Sequence, residues 1–115
     1  MADSAQKLMK DLRDHSRKYD LKTLPRVPAR PSNANAKTLS AHYRKVVDLA
    51  NAGITKTSEG LAETTKLEKR VKAIHGDSSQ VLSALYGVIR GLKDHKSAYE
   101  ERLRDAERGL ERLKE

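Results

Sequence analysis

Leu67-Glu68-Lys69-Arg70-Val71-Lys72-Ala73-Ile74-His75-Gly76-Asp77-Ser78-Ser79-Gln80-Val81-Leu82-Ser83-Ala84-Leu85 holds two helical patterns on either side of a break. Before the break, Leu67, Val71 and Ile74 recur at helical spacing. After it, Val81 and Leu85 do the same. Gly76 suits the left-handed residue that ends a helix, and Lys72 and His75 in the preceding turn complement the negative end of the helix dipole. Asp77, Ser78 and Ser79 offer N-caps for the next helix. A connection this short between long helices predicts antiparallel neighbours, with the turn near 76-78.

Upstream, Leu39, Tyr43, Val46, Ala50, Gly53, Thr57, Gly60, Thr64, Leu67, Val71 and Ile74 alternate steps of four and three, a heptad seam. Val47, Ile54 and Leu61 run beside it at intervals of seven and widen the apolar face, which predicts a second neighbour. Downstream, Val81, Leu85, Val88, Leu92, Tyr99, Leu103, Ala106, Leu110 and Leu113 carry the partner stripe, with a phase insertion between Tyr99 and Leu103 expected to unwind the supercoil locally. Folding at Gly76-Asp77 pairs each residue with the one whose number brings the total to roughly 153. Tyr99 then falls opposite Gly53, Leu92 near Gly60, Leu85 near Leu67 and Leu110 near Tyr43, so large side chains meet gaps. Each arm should span about 55 Å at about 1.5 Å per residue.

A glycine inside a helix costs about 1 kcal/mol relative to alanine, so each one calls for a reason. Tyr99 and Leu92 supply it for Gly53 and Gly60. Ala84, Gly87 and Gly91 lie off the main seam, where a further helix backbone could approach closely. With Val47, Ile54 and Leu61 they form the expected partner-helix interface.

Residues 1-20 read as a short amphipathic helix, capped by Asp3 or Ser4 and carrying Ala5, Leu8, Met9, Leu12 and Tyr19 on one side. A helix this short is marginal alone and has to dock. Residues 21-35 form a basic linker in which Pro25, Pro28 and Pro31 forbid helix and favour an extended chain. Pro25, Pro28 and Arg30 also fit a Src-homology-3 proline ligand, although a plain spacer explains them more simply. The fold class is therefore all-α: a long antiparallel, coiled-coil-like helical hairpin over 36-115, with a short N-terminal amphipathic helix joined by a Pro-rich extended linker.

Among 115 residues there is no Phe, Trp or Cys and only four Tyr, so a broad globular core is not expected. Lacking cysteine, the chain has neither disulfides nor thiolate ligands, which suits an intracellular, soluble protein of the cytoplasm or nucleus. A mitochondrial location stays as an alternative, since residues 5-19 could form an amphipathic presequence, although Asp11, Asp14 and Asp20 count against it. No run approaches the roughly 20 apolar residues of a membrane span. The net charge of +8 is concentrated before residue 38, where nine Lys or Arg face four Asp.

The histidines His15, His42, His75 and His95 are dispersed, without metal-ligand spacing, and no phosphate loop or nucleophile motif occurs, so neither enzyme activity, cofactor nor metal is expected. His95 reads as a core-edge residue; His42 and His75 read as solvated. Candidate phosphate contacts are Lys22, Arg26, Arg30 and Lys37 in the arm, and Lys66, Lys69, Arg70, Lys72, Arg90 and Lys93 toward the hairpin tip. Glu100, Glu101, Arg102, Arg104 and Asp105 read as a solvated, ion-paired face. The leading expectation is a non-enzymatic scaffold or adaptor subunit contacting other helical proteins, as homo-oligomer or hetero-complex. A nucleic-acid-associated protein and a small assembly or secretion chaperone are the alternatives.

Overall fold

The computed structural model describes residues 4–20, 22–74 and 76–114. Three helices contain most of them: α1 (Ala5–Lys18), α2 (Ala36–Lys72) and α3 (Ser79–Lys114), and no strand occurs among the described residues. The molecule is a rod of 61 × 21 × 18 Å, as long as its two long helices require.

Each helix begins on a short polar side chain. Ser4 accepts from the Lys7 amide at 3.2 Å, and Asn35 accepts from the Thr38 amide at 2.8 Å. Asp3, the other candidate cap for α1, lies outside the described residues, as does His75. The break is longer than the sequence implies: α2 stops at Lys72 with Ala73 as its cap, and Gly76 follows at φ 110°, a conformation that a side chain would strain. Asp77 then accepts from the Ser79 amide at 3.0 Å and the Ser79 hydroxyl at 2.7 Å, which starts α3. Those donated hydrogen bonds hold the Asp77 carboxyl below its ordinary value.

Along α2 the heptad positions Val46, Ala50, Gly53, Thr57, Gly60, Thr64, Leu67 and Val71 are all buried. Five of these eight are smaller than valine or carry a hydroxyl, so bulk comes from the opposite side. An ideal Cβ on Gly53 would stand 2.5 Å from the Tyr99 ring, one on Gly60 3.1 Å from Leu92, and one on Gly109 2.5 Å from Tyr43. In each pair the residue numbers total 152, one less than folding at Gly76-Asp77 implies. That single step replaces the expected Leu110–Tyr43 contact by Gly109–Tyr43 and leaves Leu110 half buried. It also removes the phase insertion. Val81, Leu85, Val88, Leu92, His95, Tyr99, Arg102, Ala106 and Gly109 continue in unbroken steps of four and three, with Arg102 rather than Leu103 in the series. The buried hydroxyls are satisfied locally: Thr57 donates to the Gly53 carbonyl at 2.8 Å, and Thr64 to that of Leu61 at 2.6 Å.

α1 lies in the groove near the closed end of the hairpin, burying Leu8 and Leu12 against Leu67, Val71, Val81 and Leu85. It runs antiparallel to α2, because Asp11 reaches Arg70 at 2.7 Å whereas the later Lys18 reaches the earlier Glu63 at 3.2 Å. The polar half of this docking centres on His15, which is 6% exposed. Its Nε2 lies 2.9 Å from the Gly60 carbonyl, which can only accept, so Nε2 carries the proton and donates. The other ring nitrogen is buried with no protein partner.

Glu63 gathers α1 from below by accepting from Lys18 and from the Tyr19 hydroxyl. Partial burial pushes its carboxyl up, but the Lys18 hydrogen bond and charge, with the Tyr19 hydroxyl, outweigh that and hold it below 4.5. A carboxyl depressed by folding stabilises above its unfolded value and loses that contribution as pH falls through its lower folded value. The stability difference between the wild-type chain and Glu63→Gln should therefore be constant at neutral pH and shrink below about pH 4.5. Chemical denaturation at several pH values measures it.

Past α1 the chain does not swing free. Asp20 accepts from the Lys22 and Thr23 amides, Leu24 is buried, and the following segment lies along α3. Tyr99 donates to the Pro25 carbonyl and Arg102 to the Pro28 carbonyl, each at 2.5 Å. The strap thus follows α3 toward the open end of the hairpin, where α2 begins.

Candidate functional site

Two surface features stand out once α1 and the strap are seated. The first is a cleft of about 400 Å³ at the open end, built by three segments far apart in sequence. Arg30 comes from the strap, His42 and Tyr43 from the first turns of α2, and Arg102, Arg108 and Arg112 from the last turns of α3. Tyr43 lies on Gly109 and floors the cleft, because no side chain on Gly109 could coexist with that ring. Asp105 is the one carboxylate among the described residues that line it.

No ion pair within 4.0 Å engages Arg30, Arg102, Arg108 or Arg112 among the described residues. This departs from the ion-paired face expected of the Glu100–Asp105 stretch: at three- and four-residue spacing the acids and arginines are neighbours, yet Arg102 turns to the strap instead. His42, expected to be solvated, is half buried in the cleft wall. Burial first, then the positive charges of Arg102, Arg30 and Lys45, push its imidazole below 6.5, so it is neutral at pH 7.

The second feature is a bare patch on α3. An ideal Cβ at Gly87 or Gly91 meets nothing within 4 Å, whereas Gly53, Gly60 and Gly109 each have a ring or a leucine against them. Tyr86, next to Gly87, is the most exposed large hydrophobic residue among the described residues, at 47%. Ala84, at the head of this strip, packs instead against the core cluster that contains Leu8 and Leu12. Val47, Ile54 and Leu61 are half buried, and none belongs to that cluster.

Alanine at Gly87 and Gly91 should stabilise the isolated chain by up to about 1 kcal/mol each, since only helix propensity changes. At Gly53 the same substitution forces the Tyr99 ring aside, and overpacking of about 1–3 kcal/mol offsets or exceeds that gain. Thermal unfolding of the three variants reads the contrast directly. A rise at Gly53 equal to that at Gly87 would show that the seam is not tight.

The cationic positions expected to grip phosphate separate into groups. Arg70 pairs with Asp11, and Lys72 with Glu68 at 2.8 Å, so two of the tip cations already hold carboxylates. Lys66 and Lys69 are exposed on α2, and Arg90 and Lys93 on α3; by the 152 register the latter two face residues 62 and 59, further from the tip. Lys22, Arg26 and Lys37 are exposed in or beside the strap, and only Arg30 enters the cleft. Pro25 and Pro28 are half buried, with carbonyls already engaged by Tyr99 and Arg102, so the proline motif is not presented as a free ligand.

Arg102, Arg108, Arg112 and His42 were not marked out by the sequence. The available signal was that all three arginines lie within the last four turns of α3, but what joins them to Arg30 is tertiary. No group of three or more potential metal ligands occurs among the described residues, and no helix there is long and apolar enough to cross a membrane. Compared with protein-family models, curated proteins and solved structures, the chain matches none.

Proposed function

We propose that the protein is a non-enzymatic helical adaptor, a rod that seats a helix of a partner protein on the outer face of α3. The observation that carries this reading is the pair of unfilled helical glycines, Gly87 and Gly91. Every other described glycine within a helix is occupied from inside the molecule, and these two incur the same propensity cost with no intramolecular return. A face without Cβ atoms lets another backbone approach closely, and the exposed Tyr86 beside it offers an aromatic anchor of the kind that dominates interfaces.

Arg90 and Lys93 flank the same face and suit an acidic partner helix. Val47, Ile54 and Leu61 supply a second, half-buried apolar stripe of coiled-coil spacing on α2. α1 and the strap occupy the remaining groove, so the rod is complete as a folded unit before any partner arrives.

The test is native mass spectrometry of the complex purified from its source, comparing the wild-type chain with Gly87→Leu/Gly91→Leu. Leucine at both positions should release the partner while far-UV circular dichroism of the free chain stays unchanged. Full retention of the partner by the double variant would defeat the proposal. Loss of the partner on Ile54→Asp/Leu61→Asp alone would move the contact to the α2 stripe.

A further inference from the structure

The geometry points to a second, separate property: the cleft at the open end is a binding site for a compact anion bearing two or more phosphate groups. Four guanidinium groups and one imidazole share about 400 Å³ with a single carboxylate. Guanidinium does not lose its proton near neutral pH, so their mutual repulsion is a fixed feature of the folded chain. Asp105 offsets one of these charges, and an anion in the cleft would offset the others.

Attraction of cations to the negative end of a helix would account for Arg108 and Arg112, which lie near the C-terminus of α3. It does not account for Arg30, which arrives on the strap, or for Arg102, about three turns before the helix end. Nor does it explain His42, which belongs to another helix. Two of these groups are also held in place. Arg102 is fixed by its hydrogen bond to Pro28, and the docking of Pro25 and Pro28 brings Arg30 to the rim. Preorganised guanidinium forks match phosphate oxygens in pairs, which a lysine patch does not do.

Size and chemistry narrow the ligand further. About 400 Å³ lies at the small end of ligand sites, enough for a compact polyphosphate and too local for a strip of nucleic-acid backbone. Four guanidinium groups less the Asp105 carboxylate leave three positive charges, and one phosphate at about −1.5 to −2 leaves part of that unmatched. Neutral His42 offers one N–H donor, and a bound polyanion would offset the positive charges that hold its imidazole below the usual range.

Isothermal titration of the full chain with sodium tripolyphosphate at near-physiological salt tests the site. One anion should bind per chain. Arg108→Gln/Arg112→Gln should weaken it about 100-fold, at about tenfold for each charge-assisted contact. Arg30→Gln lies outside the helices and should weaken it about tenfold with the fold intact. Lys66→Gln/Lys69→Gln, at the other end of the rod, should leave affinity within about threefold of wild type. Absence of binding at millimolar tripolyphosphate would overturn the inference. So would equal losses from the cleft and tip variants, or a single-stranded oligonucleotide binding more tightly than tripolyphosphate and responding equally to both variants, since either marks a diffuse basic surface.

Discussion

Leu85→Ala is expected to lower the unfolding free energy by about 2–5 kcal/mol. Leu85 is 1% exposed and stands where all three helices meet, among Leu8, Leu12, Leu67, Val71 and Val81. Removing its side chain takes away the transfer free energy of three carbons and leaves a cavity bounded by three separate elements. The helices cannot close that gap together, because the Tyr99–Gly53 and Leu92–Gly60 contacts further along fix the spacing of α2 and α3. Equilibrium urea denaturation measures the effect. A loss below about 1 kcal/mol would mean that α1 collapses onto the vacancy, and that its seat is looser than the buried leucines indicate.

The second large effect concerns α1 itself. Leu8→Asp places a carboxylate where Leu8 is 1% exposed, and a buried unpaired charge costs about 3–5 kcal/mol. α1 has 14 residues, too few to persist as an isolated helix, so undocking and unwinding are expected together. Its amides should lose protection in hydrogen exchange, while those of α2 between Val46 and Gly53 keep theirs, because Gly53 packs on Tyr99 and not on α1. Persistent α1 protection would show that His15–Gly60, Asp11–Arg70 and Lys18–Glu63 suffice to hold it.

The two outcomes separate the roles of the segments. Losing Leu85 weakens the whole closed end, whereas losing Leu8 converts a three-helix rod into a bare hairpin. The arginine cleft lies beyond both, held by the strap and by the ends of α2 and α3. Its ligand affinity in the Leu8 variant therefore reports whether the strap stays docked through Tyr99 and Arg102 once α1 has left.

The hairpin and nearly all of its α2 seam were legible in the residues, because heptad spacing and cap chemistry are local: Val46 through Val71 recur every three or four positions, and Asn35 and Asp77 act on amides within three residues. Even the pairing of Tyr99 with Gly53 and Leu92 with Gly60 could be reasoned from size along two known stripes. The one-residue shift to Gly109–Tyr43 could not, since it depends on how the backbone travels from Ala73 to Ser78. The sequence also required that the amphipathic segment at Ala5–Lys18 find cover, without saying whether this hairpin or another chain provides it. Only the tertiary structure settled that, by placing Leu8 and Leu12 over Leu85 and His15 against the Gly60 carbonyl. The same holds for the cleft: Arg30 and Arg102 are 72 positions apart in the chain, and no local pattern connects them. Helical periodicity is written in neighbours, whereas burial, register and convergent charge arise from residues that meet only after the chain has folded.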